Sequence, residues 1–282
     1  MTGQRVAVVT DSTADLGPLA AEHRIEVVPL TIRFGSEEFR DGVDLTEQEF
    51  YRKLEDSATT PITAQPTPAL FASTYRRLLD GGADRIVSLH ISSTLSGTIN
   101  AASIAAREIG ESAITVVDTR TATAGLGMLA LDAARRAAAG ESADTIVAAI
   151  RADIPTVQLF ATIPSLTYLA RGGRIGHLSG LVGNVLKIVP ILTLVDGSLK
   201  EYVKVRTFAR AVDQIVDITI EKLKGSPGAR LAVIHSMSPD LAKSVAERVT
   251  AAAPVRSMYV CSLGPTVGTH AGPGAVGTIF IP

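Results

Sequence analysis

The sequence predicts an α/β fold in two parts. Residues 1–155 form an N-terminal domain built on a mostly parallel sheet flanked by helices. Residues 156–282 form a C-terminal α/β domain with antiparallel pairing. Three observations predict it. Short apolar runs alternate with helix-period segments through the first half, the pattern of parallel strands joined by crossover helices. That alternation changes near Pro155, between a helix and a strand. Beyond it, Asp196-Gly197 separates two apolar runs, a hairpin signal that requires antiparallel neighbours. With 46% hydrophobic and 20% charged residues, the 282-residue chain has ordinary globular composition and enough length for a sizeable core.

The elements follow in order. Arg5–Val9 is a strand that runs into Thr10-Asp11-Ser12-Thr13, and Ile25–Ile32 is a second. Thr46 with Glu49 makes a capping box that opens a helix to about Asp56. Thr67 followed by Pro68 opens another, with Leu70, Phe71, Tyr75, Leu78 and Leu79 on one face and Gly81-Gly82 as its stop. Arg85–His90 is a strand, and Ile99, Ala102, Ala106 and Ile109 recur at helical spacing. Ile114–Val117 is a strand, Ala122–Ala139 an alanine-rich helix closed by Gly140, and Ala143–Asp153 a further helix. Strand Val157–Ile163 and short helix Ser165–Ala170 lead to a glycine-rich segment, Arg171–Gly176. Strands Ile188–Val195 and Leu199–Val205 flank the hairpin turn. Helix Arg206–Lys224, strand Leu231–His235, helix Pro239–Ala253 and strands Val255–Cys261 and Ala275–Ile281 complete the chain.

Composition excludes several functions. Lys and Arg number 27 against 28 Asp and Glu, a net charge of −1, so no global field draws the chain to nucleic acid or to anionic membrane. Aromatic residues are 4% with no Trp, which leaves few platforms for stacking bases. The single cysteine, Cys261, closes no internal disulfide and builds no thiolate cage, which points to a reducing, cytoplasmic setting. It lies in the apolar run Met258–Cys261 and reads as a buried, inert thiol. Val6–Val9 is too short for a signal peptide. The apolar stretch Leu178–Val195 is broken by Gly180, Gly183, Asn184, Lys187 and Pro190, which argues against a membrane span.

Three polar loops after strands are candidate anion sites. Ile91-Ser92-Ser93-Thr94-Leu95-Ser96-Gly97-Thr98 precedes a helix, whose first-turn N–H groups and partial positive charge favour a carboxylate or phosphate. Ser93 and Ser96 would add hydroxyl donors; the plainer reading is that Ser96 caps the helix. In Gly268–Gly274, His270 is an anion donor, a base, or a structural histidine. Thr10–Asp15 caps a helix or positions a neighbour. Arg171 and Arg174 flank two glycines, a turn that suits an anion or acidic partner, or is merely solvated.

Sharper motifs fail. Gly272-Pro273-Gly274-Ala275-Val276-Gly277 matches G-x-G-x-x-G in letters, but only Thr278–Pro282 follow, with no helix to open. Gly125 and Gly127 lie within a predicted helix rather than before one. The chain has no G-x-x-x-x-G-K-[ST], no G-x-S-x-G elbow, and no metal-ligand spacing among its 5 His.

Taken together, these loops resemble the DegV family of fatty-acid-binding proteins, which includes the FakB subunits of bacterial fatty acid kinase. The matching segments run nearly the whole length: Val9–Leu16, Thr63-Ala64-Gln65-Pro66, Ile91–Thr98, Tyr168–Ile175, Lys204-Val205-Arg206 and His270–Gly274. Each is weak alone; their order is specific. The resemblance implies the two-domain DegV fold, with a lipid tunnel in the C-terminal domain and the carboxylate at the interdomain cleft. It implies that Thr63, Ser93 or Ser96, Gly97 and His270 hold the carboxylate. Arg171, Arg174 and Arg206 are implied in docking a kinase subunit or its phosphate. The usual Ser of the Thr-Ser-Gln-Pro segment is Ala64 here, so one hydroxyl donor is missing.

The resemblance thus implies a protein that binds a long-chain fatty acid and presents its carboxylate to a separate ATP-dependent kinase, which makes the acyl phosphate. It would be no enzyme by itself, with no metal or cofactor besides the bound lipid, no nucleic-acid partner and no stable membrane insertion. Burying about fifteen carbons at ~0.8 kcal/mol each yields on the order of 12 kcal/mol gross, before association costs. The head group needs several donors, because a desolvated carboxylate without them is costly. The alternative is a stand-alone Ser/His hydrolase or acyltransferase acting on a lipid through Ser96 and His270. It requires the serine oxygen and a histidine nitrogen within ~3 Å and a third group to orient the ring.

Overall fold

The computed structural model describes residues 4–57, 59–181 and 188–282. In chain order its elements are β1 (Val6–Asp11), α1 (Pro18–Glu22), β2 (Ile25–Val28), β3 (Thr31–Phe34), β4 (Glu37–Arg40), α2 (Glu47–Asp56), β5 (Ile62–Ala64), α3 (Pro68–Asp80), β6 (Arg85–His90), α4 (Thr98–Ile109), β7 (Ile114–Asp118), α5 (Ala124–Ala138) and α6 (Ala143–Asp153). There follow β8 (Gln158–Thr162), α7 (Thr167–Arg171), β9 (Val189–Val195), β10 (Ser198–Val205), α8 (Phe208–Leu223), β11 (Arg230–His235), α9 (Pro239–Ala252), β12 (Ser257–Ser262), α10 (Pro265–Ala271) and β13 (Val276–Ile281).

Three sheets result. The first, ordered β2-β1-β6-β7, is parallel throughout. The second, ordered β10-β9-β8-β13-β11-β12, is antiparallel except for the β11–β12 pair. The third is a small antiparallel sheet, β4-β3-β5. Helices α3 and α4 cover one face of the parallel sheet through Phe71, Tyr75, Ala102 and Ala105. Helices α8 and α9 cover one face of the six-stranded sheet through Val212, Ile215, Val245 and Val249. Between the two sheets lies α5, with α6 beside it.

That placement explains the alanine-rich composition of α5. Where the helix packs between two sheets it has no solvent face: Ala124–Leu131 are all buried, and ten of its 15 residues in total. Small side chains let both sheets approach it. Gly127 lies against the carbonyl of Ala14, so the Gly125-x-Gly127 pair serves packing.

Local signals held at several places. Thr46 and Glu49 form the reciprocal capping box of α2. Thr67 caps α3, with Pro68 at its start. Asp196 and Gly197 both take positive φ, as the tight hairpin turn requires.

Three expectations are corrected. The run Ile25–Ile32 is two strands in two sheets. Pro29, which has no N–H to donate, separates β2 from β3, and the Leu30 N–H goes to Ser12 Oγ instead of a ladder. The first half is built mostly on parallel sheet, as expected, and β3, β4 and β5 add a separate small antiparallel sheet. The first part of the Gly268–Gly274 loop is helix α10, so His270 sits on a helical turn. Leu70 is not on the buried face of α3; it is 37% exposed. Part of the stretch Leu178–Val195 falls at 182–187, outside the described residues. No helix among the described residues is long and apolar enough to cross a membrane.

Candidate functional site

The order β2-β1-β6-β7 reverses direction between β1 and β6, and the loops after those two strands leave the sheet side by side. Such a switch point leaves a crevice at the carboxyl ends of the strands. Asp11 ties the two loops together. Its Oδ1 accepts the Thr13 N–H at 3.1 Å and also the Thr13 hydroxyl. Its Oδ2 accepts the Ile91 N–H at 3.1 Å and pairs with His90 Nδ1 at 3.0 Å. The line continues from His90 Nε2 to Ser88 Oγ at 2.7 Å and to Tyr75 OH at 2.8 Å. This Asp–His–Ser sequence resembles a catalytic relay, yet Asp11, His90, Ser88 and Tyr75 are fully buried, and none of them lines the apolar cavity. It is a satisfied polar core that sets the crevice loops.

Above the crevice lies a cavity with about 150 Å³ open to the centre of a water-sized sphere, roughly ten times what one water needs. Leu30, Ile91, Leu95 and Ala122 wall it from the first half of the chain; Leu159, Ala161, Leu192, Leu194 and Ile234 wall it from the second. The cavity thus lies between the sheets rather than within the C-terminal half alone. Among the described residues, no Asp or Glu lines it.

Four of its polar side chains come from separate parts of the chain. Thr63 is on β5, held opposite Ile32 in the small sheet. Ser96 is in the loop after β6; its oxygen accepts the Thr98 N–H at 3.3 Å and pairs with Thr98 Oγ1 at 2.8 Å. Arg174 follows α7, its guanidinium anchored by the carbonyls of Leu95 at 3.1 Å and Gly172 at 2.8 Å. No carboxylate pairs with it among the described residues. His270 comes from α10, with Nε2 2.9 Å from Thr63 Oγ1.

Burial first, and then the charge of Arg174, push His270 down to about 4, so the ring is neutral at pH 7. Its Nδ1 is buried without a partner among the described residues, packed against Gly172. An orphaned acceptor is tolerated better than an orphaned N–H. The one ring proton therefore belongs on Nε2, donating to Thr63 Oγ1, which frees the Thr63 hydroxyl proton for another acceptor.

Two buried acids set the position of α10. Asp15 Oδ1 accepts the Gly264 N–H at 3.0 Å, and Asp41 Oδ2 accepts the Thr266 N–H at 3.3 Å. They satisfy donors that the start of this helix cannot pair internally. Burial is the main cause that raises both, Asp41 to about 6 and Asp15 well above the carboxylate range. On its other side, Gly268 lies directly against Phe50 and Tyr51 of α2.

The other candidates stand apart. Ser93 is exposed, its N–H donating to Asp118 Oδ1 at 3.3 Å, and it does not line the cavity. Gly97 lies just outside the wall, covered by the Gln65 side chain. Arg171 is exposed, its guanidinium 3.4 Å from Thr60 Oγ1. Arg206 is on another surface, in a groove between β10 and α8 with Tyr202 and Asp213. The hydrogen bonds of Ser96 and His270 run to Thr98 and Thr63, not to each other. Cys261 is buried, and burial raises its thiol further. No group of three or more His, Cys, Asp or Glu gathers as a metal site among the described residues.

Sequence reasoning missed Asp15, Asp41 and the lining threonines Thr13, Thr123 and Thr266. The Thr10–Asp15 loop signalled a capping role, and Asp15 does supply one, but to a helix 249 residues away.

Fold and site define an α/β protein with a largely apolar chamber between its two larger sheets, ending in neutral donors and Arg174. The family model for DegV, described as an uncharacterised protein family, matches residues 5–282, and the chain belongs to the DegV family. A DegV domain-containing protein of Streptomyces coelicolor is 38% identical over 278 residues, 98% of each chain. The structure of a fatty-acid-binding DegV family protein from Thermus thermophilus superposes with a TM-score of 0.93 at 32% identity, covering 99% of each chain. DegV of Bacillus subtilis, a fatty acid binding protein, superposes at 0.90 with 30% identity, again covering 99% of each.

Proposed function

We propose that this protein binds one long-chain fatty acid in the intersheet cavity. Its carboxylate lies among Thr63, Ser96, the helix-start N–H groups near Gly97, and His270. One observation carries the reading: Thr63, Ser96, Arg174 and His270 converge on a cavity whose other described walls are apolar apart from Thr13, Thr123 and Thr266, with no acid among them. The hydrocarbon supplies affinity through burial. Neutral donors hold the head group, with the Thr63 hydroxyl oriented by His270. Arg174 balances the charge from one side without a bidentate clamp. Fatty-acid binding by the Thermus and Bacillus relatives supports the same ligand class.

The finer step is presentation to a separate kinase. A carboxylate oxygen attacks the terminal phosphoryl group of ATP held by the kinase, ADP leaves, and acyl phosphate forms. The chain has no phosphate-cradling P-loop of its own. Exposed Arg171 and Arg206, with Arg174 at the cavity, are the candidates for contact with the kinase or the transferred phosphate. The protein then acts as the lipid-carrying subunit rather than as an enzyme alone.

Organic-solvent extraction followed by mass spectrometry tests the first step. The expected result is one fatty acid per chain; no stoichiometric fatty acid and no uptake of added fatty acid would overturn it. Thr63→Val and His270→Ala test the second step, and should lower kinase-dependent phosphorylation more than lipid occupancy. Equal loss of both would refute that division of labour.

A further inference from the structure

The six-stranded sheet turns one face to the cavity, and its register sorts the side chains of that face into rows. One row runs Leu192, Ala161, Gly277, Ile234 across β9, β8, β13 and β11. Its centre is low: a Cβ on Gly277 would lie 2.6 Å from the Ala161 Cβ. The next row on this face is tall. Leu194 pairs with Leu199 across the hairpin, and Ile279 pairs with Leu159. Extending the β8–β9 register by two residues sets Leu159 opposite Leu194. A trough over small residues therefore runs into a bank of leucines.

That bank stands away from the polar groups. Along the chain, Ile163, Ala161 and Leu159 line the cavity in succession, a span of about 13 Å at ~3.3 Å per residue. The Ile163 end leads into α7, whose last turn carries Gly172 against His270. Leu159 marks the opposite end. Beyond it lies a second cleft that shares two wall residues with the cavity, Leu159 and Leu194. Its character is the reverse: Asp118, Arg120, Arg151 and Asp196 line it. The hairpin tip seals this region, with Thr94 Oγ1 donating to the Gly197 carbonyl at 2.5 Å and Arg120 3.8 Å from Asp196.

We propose that Leu159 and Leu194 are the end wall of the cavity and set the longest acyl chain that it accepts. The proposal rests on the fatty-acid reading above. A methylene pushed past the two leucines would leave hydrocarbon for a wet, charged cleft and lose its burial. The wall therefore acts on chain length alone and leaves the head group untouched.

The test compares wild type with Leu194→Ala, Leu159→Ala and Leu194→Phe. Each is delipidated, reloaded with an equimolar series of saturated fatty acids, and extracted for mass spectrometry. Truncation should raise the ratio of chains about two carbons longer to the preferred wild-type chain about tenfold. Leu194→Phe should shift the distribution shorter, and it reads the same wall if truncation impairs folding. A wild type that takes up no fatty acid overturns the binding reading, and this proposal with it. A wild type that loads normally, with variants that keep its length distribution, overturns the wall alone.

Discussion

His270 owes its place to the residue that makes room for it. A Cβ at Gly172 would lie 2.1 Å from His270 Nδ1, closer than atoms approach. Gly172→Ala must then displace the ring or the turn and break the pairing of Nε2 with Thr63 Oγ1. Losing about one hydrogen bond to a charged group should weaken fatty-acid affinity roughly tenfold, as read by displacement of a fluorescent fatty acid. An unchanged affinity would show that the His270–Thr63 pair does not serve the head group. The two glycines between Arg171 and Arg174 were visible in the sequence, but their reason was not. Thr63 and His270 are 207 residues apart, and no spacing rule links them.

Among the elements, α2 and α10 mark the contrast between local and distant control. The α2 capping box is written in four consecutive residues and forms as read. Thr46→Ala should cost about 1 kcal/mol, seen as a lower urea midpoint with an unchanged slope. Helix α10 was missed because short, glycine-bearing Pro265–Ala271 has no cap of its own; Asp15 and Asp41 supply it from far along the chain. Those acids leave a pH signature. Asp41 lies at about 6 when folded against 3.8 ordinarily, so between those values the folded state binds more protons. Stability from this group falls as pH rises through that window. His270 works oppositely: at about 4 folded against 6.5, it makes the folded state bind fewer protons, and stability rises with pH. Asp41→Asn keeps an acceptor for Thr266 and removes the Asp41 share of the falling part, leaving that of Asp15. The variant should gain stability more steeply between pH 4 and 6 and be more stable at pH 8, by on the order of 1–2 kcal/mol. Denaturant unfolding across pH checks this; parallel curves for variant and wild type would refute it.

At the scale of the whole molecule, the cavity is a gap between two sheets, with wall residues from both halves of the chain. A ligand there joins the halves, so fatty acid should stabilise the delipidated protein as a unit. At a free concentration a hundred times Kd the gain is about 2.7 kcal/mol, and calorimetry should show one transition moved upward. A shift confined to one of two resolved transitions would mean that the ligand engages one half only. The helix α5 between the sheets shows how this architecture reads in sequence. Its alanines are a visible composition, but nothing local says that both of its faces are covered.

Local sequence specified the α/β class, most helices and strands, the hairpin at Asp196-Gly197 and the loop that carries Ser96. Each rests on short-range chemistry: apolar periodicity, caps, and positive φ at turns. Tertiary structure alone decided that Pro29 divides one apolar run between two sheets. It also decided that Ser96 rather than Ser93 reaches the cavity, and that Arg174 does so while Arg206 lies on another surface. A cavity is the space left where distant surfaces meet without filling the volume between them. Its walls, depth and end are properties of packing between segments over a hundred residues apart, which no local pattern can encode.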